Sequence, residues 1–284
     1  MKPAQMEEIH VLWDELSAFS PSRIDDALAH LMGWFQQHLD VDNVLWLGSL
    51  RMLDEEVATN DPLLGWRLRA RRVLLPDTEE YLKLVASYFG SAHYGKLTSS
   101  YYGGKHGPDT DVHVGTTSRT LVAEAGKFRA HRMRDGWIDY AKFRRTDHYR
   151  LYYTELNISD RIWVVFPLNA HTESVFLLDR HHRGSGSRKN FTDADTALAA
   201  TALRGLREFH RRLLLGHGVL RGVKALSPLK VKILAQLLSG RPEKEIAVTL
   251  GQKPLTLRKT IAGIYAEFGV KTRLELLALW LGEN

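Results

Sequence analysis

The 284-residue chain is 44% hydrophobic and 25% charged, an ordinary balance for a globular protein with room for about two domains. It has no cysteine, which excludes a disulfide framework, thiolate chemistry and a cysteine-based metal site. The net charge is +6, and eleven Lys and Arg against five Glu between Arg221 and Asn284 put all of that excess in the tail. Charge concentrated in this way is the footprint of phosphate contacts. The sequence has no run of eighteen apolar residues, and MKPAQMEEIH has acids but no apolar core, so neither a membrane span nor a secretory signal is expected. The expected location is the cytoplasm.

In chain order, residues 1–40 read as two amphipathic helices split at Ser20-Pro21-Ser22, with stripes Ile9, Leu12, Trp13, Leu16, Phe19 and Ile24, Leu28, Leu31, Met32, Phe35. Residues 41–53 and 66–75 read as paired strands, with Asp61-Pro62 marking the turn between them. A helix over 76–89 leads into 90–115, a stretch rich in Gly, Ser, His and Tyr that reads as a binding loop or a solvated insertion. A helix at 116–125 and a strand at 127–133 follow. Trp137, Tyr140, Tyr149, Tyr152 and Tyr153 then cluster with Phe143; aromatics with polar tips suit a ligand pocket, and core packing explains the same pattern.

Residues 161–168 and 173–180 read as an antiparallel pair buried on both faces, joined by Asn169 to Thr172. After a basic, glycine-rich link at 181–190, Thr192 and Asp195 cap a long helix running to about Leu215.

The tail, 226–284, reads as four short helices. Ser227-Pro228 opens the first and Gly240 ends it; Pro242 and Gly251 bound the second; Pro254 opens the third; Thr272 and Glu275 form a capping box for the fourth. On the third, Leu257, Ile261, Ile264, Tyr265 and Phe268 make one apolar stripe, while Leu255, Thr256, Lys259, Ala262, Gly263 and Ala266 face the other way. Lys253 occupies its N-cap slot with no side-chain acceptor. The fourth is apolar on nearly every side, so it must bury two faces, and a second copy of the chain is the expected cover.

Leu226-Ser227-Pro228, Lys244-Glu245-Ile246-Ala247, Leu250-Gly251, Thr256, Ile264-Tyr265 and Phe268-Gly269-Val270 with Arg273 carry a resemblance to the LuxR-type helix-turn-helix over about sixty residues. Leu229-Lys230, Gln252-Lys253 and Thr260 depart from that family's usual residues. A looser resemblance, strand, Asp179-Arg180, glycine-rich loop, Phe191-Thr192-Asp193 and long helix, is to GAF-like sensory domains, with a PAS-like domain as the near alternative.

The resemblance implies an α+β chain. A GAF-like or PAS-like antiparallel sheet with flanking helices would fill 1–216, a linker 217–225, and an all-α four-helix LuxR-type domain 226–284. The implied function is a dimeric transcriptional regulator that binds double-stranded DNA and senses a small-molecule effector. Its DNA-contacting residues would be Lys244, Lys253, Thr256, Arg258, Lys259, Thr260, Lys271 and Arg273. Trp137, Tyr140, Tyr149, Tyr152 and Tyr153 would line the effector site, and Leu274, Leu277, Trp280 and Leu281 the dimer seam. The alternative is a helix-turn-helix turned to protein binding, motivated by Lys253 and an outward Leu255.

An enzyme is not expected, since no nucleophile is paired with a base. Neither a cofactor nor a metal is expected, since the thirteen histidines lack ligand spacing. Asp61-Pro62 with Trp46 and Trp66 is a fragment of the residue set carried by autoinducer-binding domains.

Overall fold

The computed structural model describes residues 2–51, 61, 63–83, 115–183, 189–219 and 226–281. The last part, 84–89, of the expected helix at 76–89, nearly all of the 90–115 loop with His93, His106 and His113, and the middle of the 181–190 link lie outside them. Helices α1 (Pro3–Ser17) and α2 (Ile24–Leu39) form the expected hairpin. Strands β1 (Asn43–Arg51) and β2 (Trp66–Val73) pair antiparallel. They are followed by α3 (Thr116–Ala123), β3 (Arg129–Arg132), the short helices α4 (Tyr140–Phe143) and α5 (Asp147–Tyr149), and a widened turn at Arg150–Thr154. Strands β4 (Ile158–Asn169) and β5 (Thr172–His181) extend a few residues beyond the sequence estimate. The sheet is antiparallel throughout, in the order β2-β1-β5-β4-β3.

Alternation sends Val44, Trp46, Ile162, Val164, Phe176 and Leu178 to one face and Leu45, Trp163, Val165, Val175 and Leu177 to the other. The first face is covered by α1, α2, α6 (Asp193–Arg204) and α7 (Arg207–Gly216). Helices α6 and α7 are a correction to the single long helix. Gly205 lies so close to Trp13 that a Cβ there would sit 2.4 Å from the indole, and the Trp13 Nε1 donates to the Ala202 carbonyl. The chain leaves helical geometry at Leu206 (φ −93°, ψ 37°) and restarts. A tertiary contact broke a continuous periodicity. The capping box holds, with the Thr192 side chain accepting from the Asp195 N–H.

His210 is fully buried at the seam between α7 and the sheet. Trp46 Nε1 donates to Ser174 Oγ at 2.8 Å and Ser174 Oγ lies 2.8 Å from His210 Nδ1, so the hydroxyl donates to the ring and Nε2 carries the proton toward the Leu203 carbonyl. Burial pushes the imidazole down to about 4. An unfolded chain protonates the same ring near pH ~6.5, so it binds more protons than the folded one between the two values. The linked stability is full above about pH 6.5 and is lost as the pH falls toward 4, by at most about 3 kcal/mol. Urea melts at pH 7 and pH 5 should show that loss in the wild type and a flatter response in His210→Gln.

Candidate nucleic-acid interface

The tail holds four helices, α8 (Pro228–Leu238), α9 (Glu243–Thr249), α10 (Pro254–Phe268) and α11 (Arg273–Leu281). The start of α8 and the ends of α8 and α9 have their expected causes. Ser227 accepts from the Lys230 N–H with Pro228 in the first turn, and Gly240, Gly251 and Gly269 take left-handed φ of 86°, 61° and 64°. Leu257, Ile261, Ile264 and Phe268 of α10 are buried against Ile233, Leu237, Ile246, Leu276 and Trp280, in a core that also receives Leu215 from α7.

The opposite face of α10 is open. Leu255, Thr256, Arg258, Lys259, Ala262 and Ala266 are exposed, and Gly263 is half-buried. Lys253 is exposed and gives the helix no side-chain cap. The first-turn N–H groups of Leu255 and Thr256 are therefore left to an outside acceptor, on a helix end whose dipole favours an anion. Small residues along the middle let a backbone approach. Lys259 sits one turn from Thr256 and Leu255, so these three form the tip of the surface. Lys244 on α9 and Lys271 before α11 are exposed as well.

Other expected contacts are placed differently. Arg258 is exposed with its Nε 3.4 Å from Glu243, a surface pair that leaves most of its charge free. Thr260 is half-buried and its hydroxyl donates to the Thr256 carbonyl. Arg273, expected at phosphate, turns inward: its guanidinium donates to the carbonyls of Leu237 and Arg241, closing the C-terminus of α8. A cation at a helix C-terminus is the local alternative to phosphate, and it won here. Lys230 was not anticipated. It stands 2.5 Å from Glu267, with its Nζ 3.9 Å from the position of a Cβ on Gly263, so it flanks the open face of α10. Only the packing of α8 across α10 brings it there.

The fourth helix needs a correction. Trp280 has no exposed surface and packs edge-on against Phe268 at 5.3 Å, so it is the centre of the tail's own core and not a seam residue. Leu277 is half-buried, whereas Leu274 and Leu281 are 77% and 69% exposed and lie seven residues apart on one side.

The aromatic cluster covers the second face of the sheet. Tyr149 and Tyr153 stack at 5.2 Å, Phe143 meets both edge-on, and Tyr152 packs on His148 at 4.8 Å. Trp137 stacks on His131 at 4.6 Å and donates to the Arg132 carbonyl. Arg134 donates to the Tyr140 hydroxyl, which lies 3.5 Å from that of Tyr149. Burial and the neighbouring Tyr140 push the Tyr149 phenol up to about 12, and burial raises Tyr153 as well. Trp137, Tyr140 and Tyr149 thus each have a polar partner within the protein. Beneath them the Arg161 guanidinium lies over Tyr153 at 4.7 Å and binds Asp179 through two bonds. In the fragment Asp61, Trp46 and Trp66, both indoles are buried. Trp46 is on the helix-covered face, and the Asp61 carboxylate is taken up by the N–H groups of Leu63 and Gly65 and by Arg67.

Among the described residues, no group of three or more His, Asp and Glu is arranged to hold a metal ion, and no helix is long and apolar enough to cross a membrane.

The tail is thus a compact helical unit that presents one basic, small-residue helix face. A stretch of 58 residues is 40% identical to the probable HTH-type transcriptional regulator GfsR of Streptomyces halstedii, covering 20% of this chain and 24% of that protein. The chain therefore matches about a quarter of the length of that relative. Among solved structures, SdiA in complex with octanoyl-rac-glycerol is similar over 100% of this chain and 97% of that one, at 10% identity and a TM-score of 0.44. SdiA of Escherichia coli in another crystal form gives 0.41 at 10% identity, over 96% and 95% of the two chains. Overlap at that level does not by itself define a shared fold. No family model matches the chain.

Proposed function

We propose that the chain is a LuxR-type transcriptional regulator that binds double-stranded DNA as a homodimer through the open face of α10. The observation that carries this reading is the exposed surface of Thr256, Arg258 and Lys259 beyond an uncapped helix end, in a tail similar to that of an HTH-type regulator. Lys259 and Thr256 read base edges; Lys244, Lys253, Arg258 and Lys271 hold phosphate. Leu274 and Leu281 support the dimer reading, because α11 leaves them uncovered. The antiparallel order β2-β1-β5-β4-β3 with helices on one face supports a GAF-like or PAS-like sensory unit over 1–216, with 217–225 as the linker. Trp137, Tyr140, Tyr149 and Tyr152 are the half-buried members of the aromatic set, with Tyr153 buried beneath them, through which an effector would be felt.

The test is selection of genomic fragments by the purified chain at two salt concentrations, beside Lys259→Ala. Enriched fragments sharing an inverted repeat are expected from the wild type. Loss of a base contact should cost roughly 1–3 kcal/mol on the preferred site alone, whereas Lys271→Ala should weaken all sequences alike and lower the salt slope by about one. Uniform weakening by Lys259→Ala would remove it from the reading set.

A second reading, a helix-turn-helix that meets protein, is favoured by Leu255 and Val248, which are 68% and 83% exposed on the same basic unit. Single exposed apolar residues are common, so this reading ranks below the first.

A further inference from the structure

The outer side of the α1–α2 hairpin carries a trough of about 560 Å³. Its floor is Leu12 and Trp34, both buried, with the half-exposed Val11 beside them, and Glu7, Glu8 and Glu15 stand along it. It exists because α2 has Ala29 and Gly33 where larger residues would fill the space; a Cβ on Gly33 would meet nothing within 4 Å. His30 lies 2.8 Å from Glu15 and His38 3.9 Å from Glu8, and no Lys or Arg lines the trough. It is an apolar slot whose edges carry three carboxylates, Glu7, Glu8 and Glu15, and no Lys or Arg.

A concave surface does not fit its own copy, so the occupant must be convex, apolar at its tip and cationic around it. Among the exposed large apolar side chains of the described residues, Leu255 alone has cations at both i+3 and i+4 on its helix, Arg258 and Lys259, with Lys253 just before it. Within one chain the tail is already seated elsewhere: α8 packs on the turn Pro21–Arg23, and Arg211 of α7 donates to the Trp280 carbonyl at the end of α11. We infer that the trough receives the α10 tip of a second copy, with Leu255 on the Trp34 floor and Lys253, Arg258 and Lys259 against Glu7, Glu8 and Glu15. The contact uses the surface proposed to read DNA, and to that extent it rests on the proposed function: self-docking and DNA binding exclude one another. Reciprocal exchange across a two-fold axis would close the contact as a dimer.

The test is sedimentation velocity of the full chain at pH 8 in about 50 mM and about 500 mM salt, between which screening of surface pairs changes strongly. Gly33→Leu fills the trough and replaces a helix-interior glycine, so it should not lower the melting temperature. It should weaken the low-salt association roughly tenfold, about 1.4 kcal/mol. Lys253→Glu/Lys259→Glu should do the same, and adding Glu8→Lys/Glu15→Lys to that variant should restore association by reversing both partners. Gly33→Leu chains that associate as tightly as the wild type would overturn the proposal, as would failure of the double reversal to restore what the first reversal removed. Double-stranded DNA should release the low-salt species. If the chain binds no DNA while Gly33→Leu still weakens association, the trough contact stands and the DNA reading fails.

Discussion

Asp179→Ala should destabilise the chain by about 3–5 kcal/mol at pH 7, the largest single effect expected outside the tail, because it strands a buried charge. Arg161 has its guanidinium inside the second face of the sheet, with Nη2 2.7 Å from Asp179 Oδ2 and Nε on the other carboxylate oxygen. Burial works against that charge; Asp179 and Tyr153 outweigh it and hold the guanidinium pKa above its ordinary value. A guanidinium cannot escape by losing its proton, so removing the carboxylate leaves a cation among Tyr153, Trp163 and Ile158 with nothing opposite. The partner variant Arg161→Met/Asp179→Leu should recover most of the loss, since replacing a buried pair by apolar residues is commonly close to neutral. Urea unfolding of the three proteins tests this, and a loss under about 1 kcal/mol for Asp179→Ala would mean that water reaches Arg161.

Trp280→Ala should cost about 3–5 kcal/mol within the tail, the range for emptying a large buried side chain, and should abolish the proposed DNA binding by unfolding α10. Trp280 is the largest side chain in the tail core and touches Phe268, which anchors the end of α10. Leu274→Ala should change the tail's stability by no more than about 0.5 kcal/mol, because the side chain is already in solvent. Its effect should appear in self-association instead. Thermal unfolding followed beside sedimentation separates the two. An Ala at 274 that unfolds the tail, or one at 280 that leaves it intact, would reverse the assignment of inner and outer faces on α11. Arg273→Ala belongs with Trp280 in this scheme, since it opens the C-terminus of α8 before it touches any phosphate.

Much of this molecule was fixed locally. Ser227-Pro228, Gly240, Gly251, Pro254 and Gly269 mark the four tail helices by rules that need no partner: an N-cap oxygen, a ring that presets φ, a residue free to turn left-handed. The stripe of α10 and the alternation of β4 and β5 likewise follow from the pitch of a helix and the pleat of a strand. What the tertiary structure decided were the competitions between partners. Trp13 pressing on Gly205 breaks a helix whose pattern runs through; α8 carbonyls take Arg273 from the expected phosphate contacts; a closed core takes Trp280 from the expected seam; Tyr140 and Tyr149 turn their hydroxyls toward each other. A side chain able to serve two partners has no preference written in its spacing, because the choice depends on which backbone groups and which apolar faces folding brings within about 3–4 Å of it.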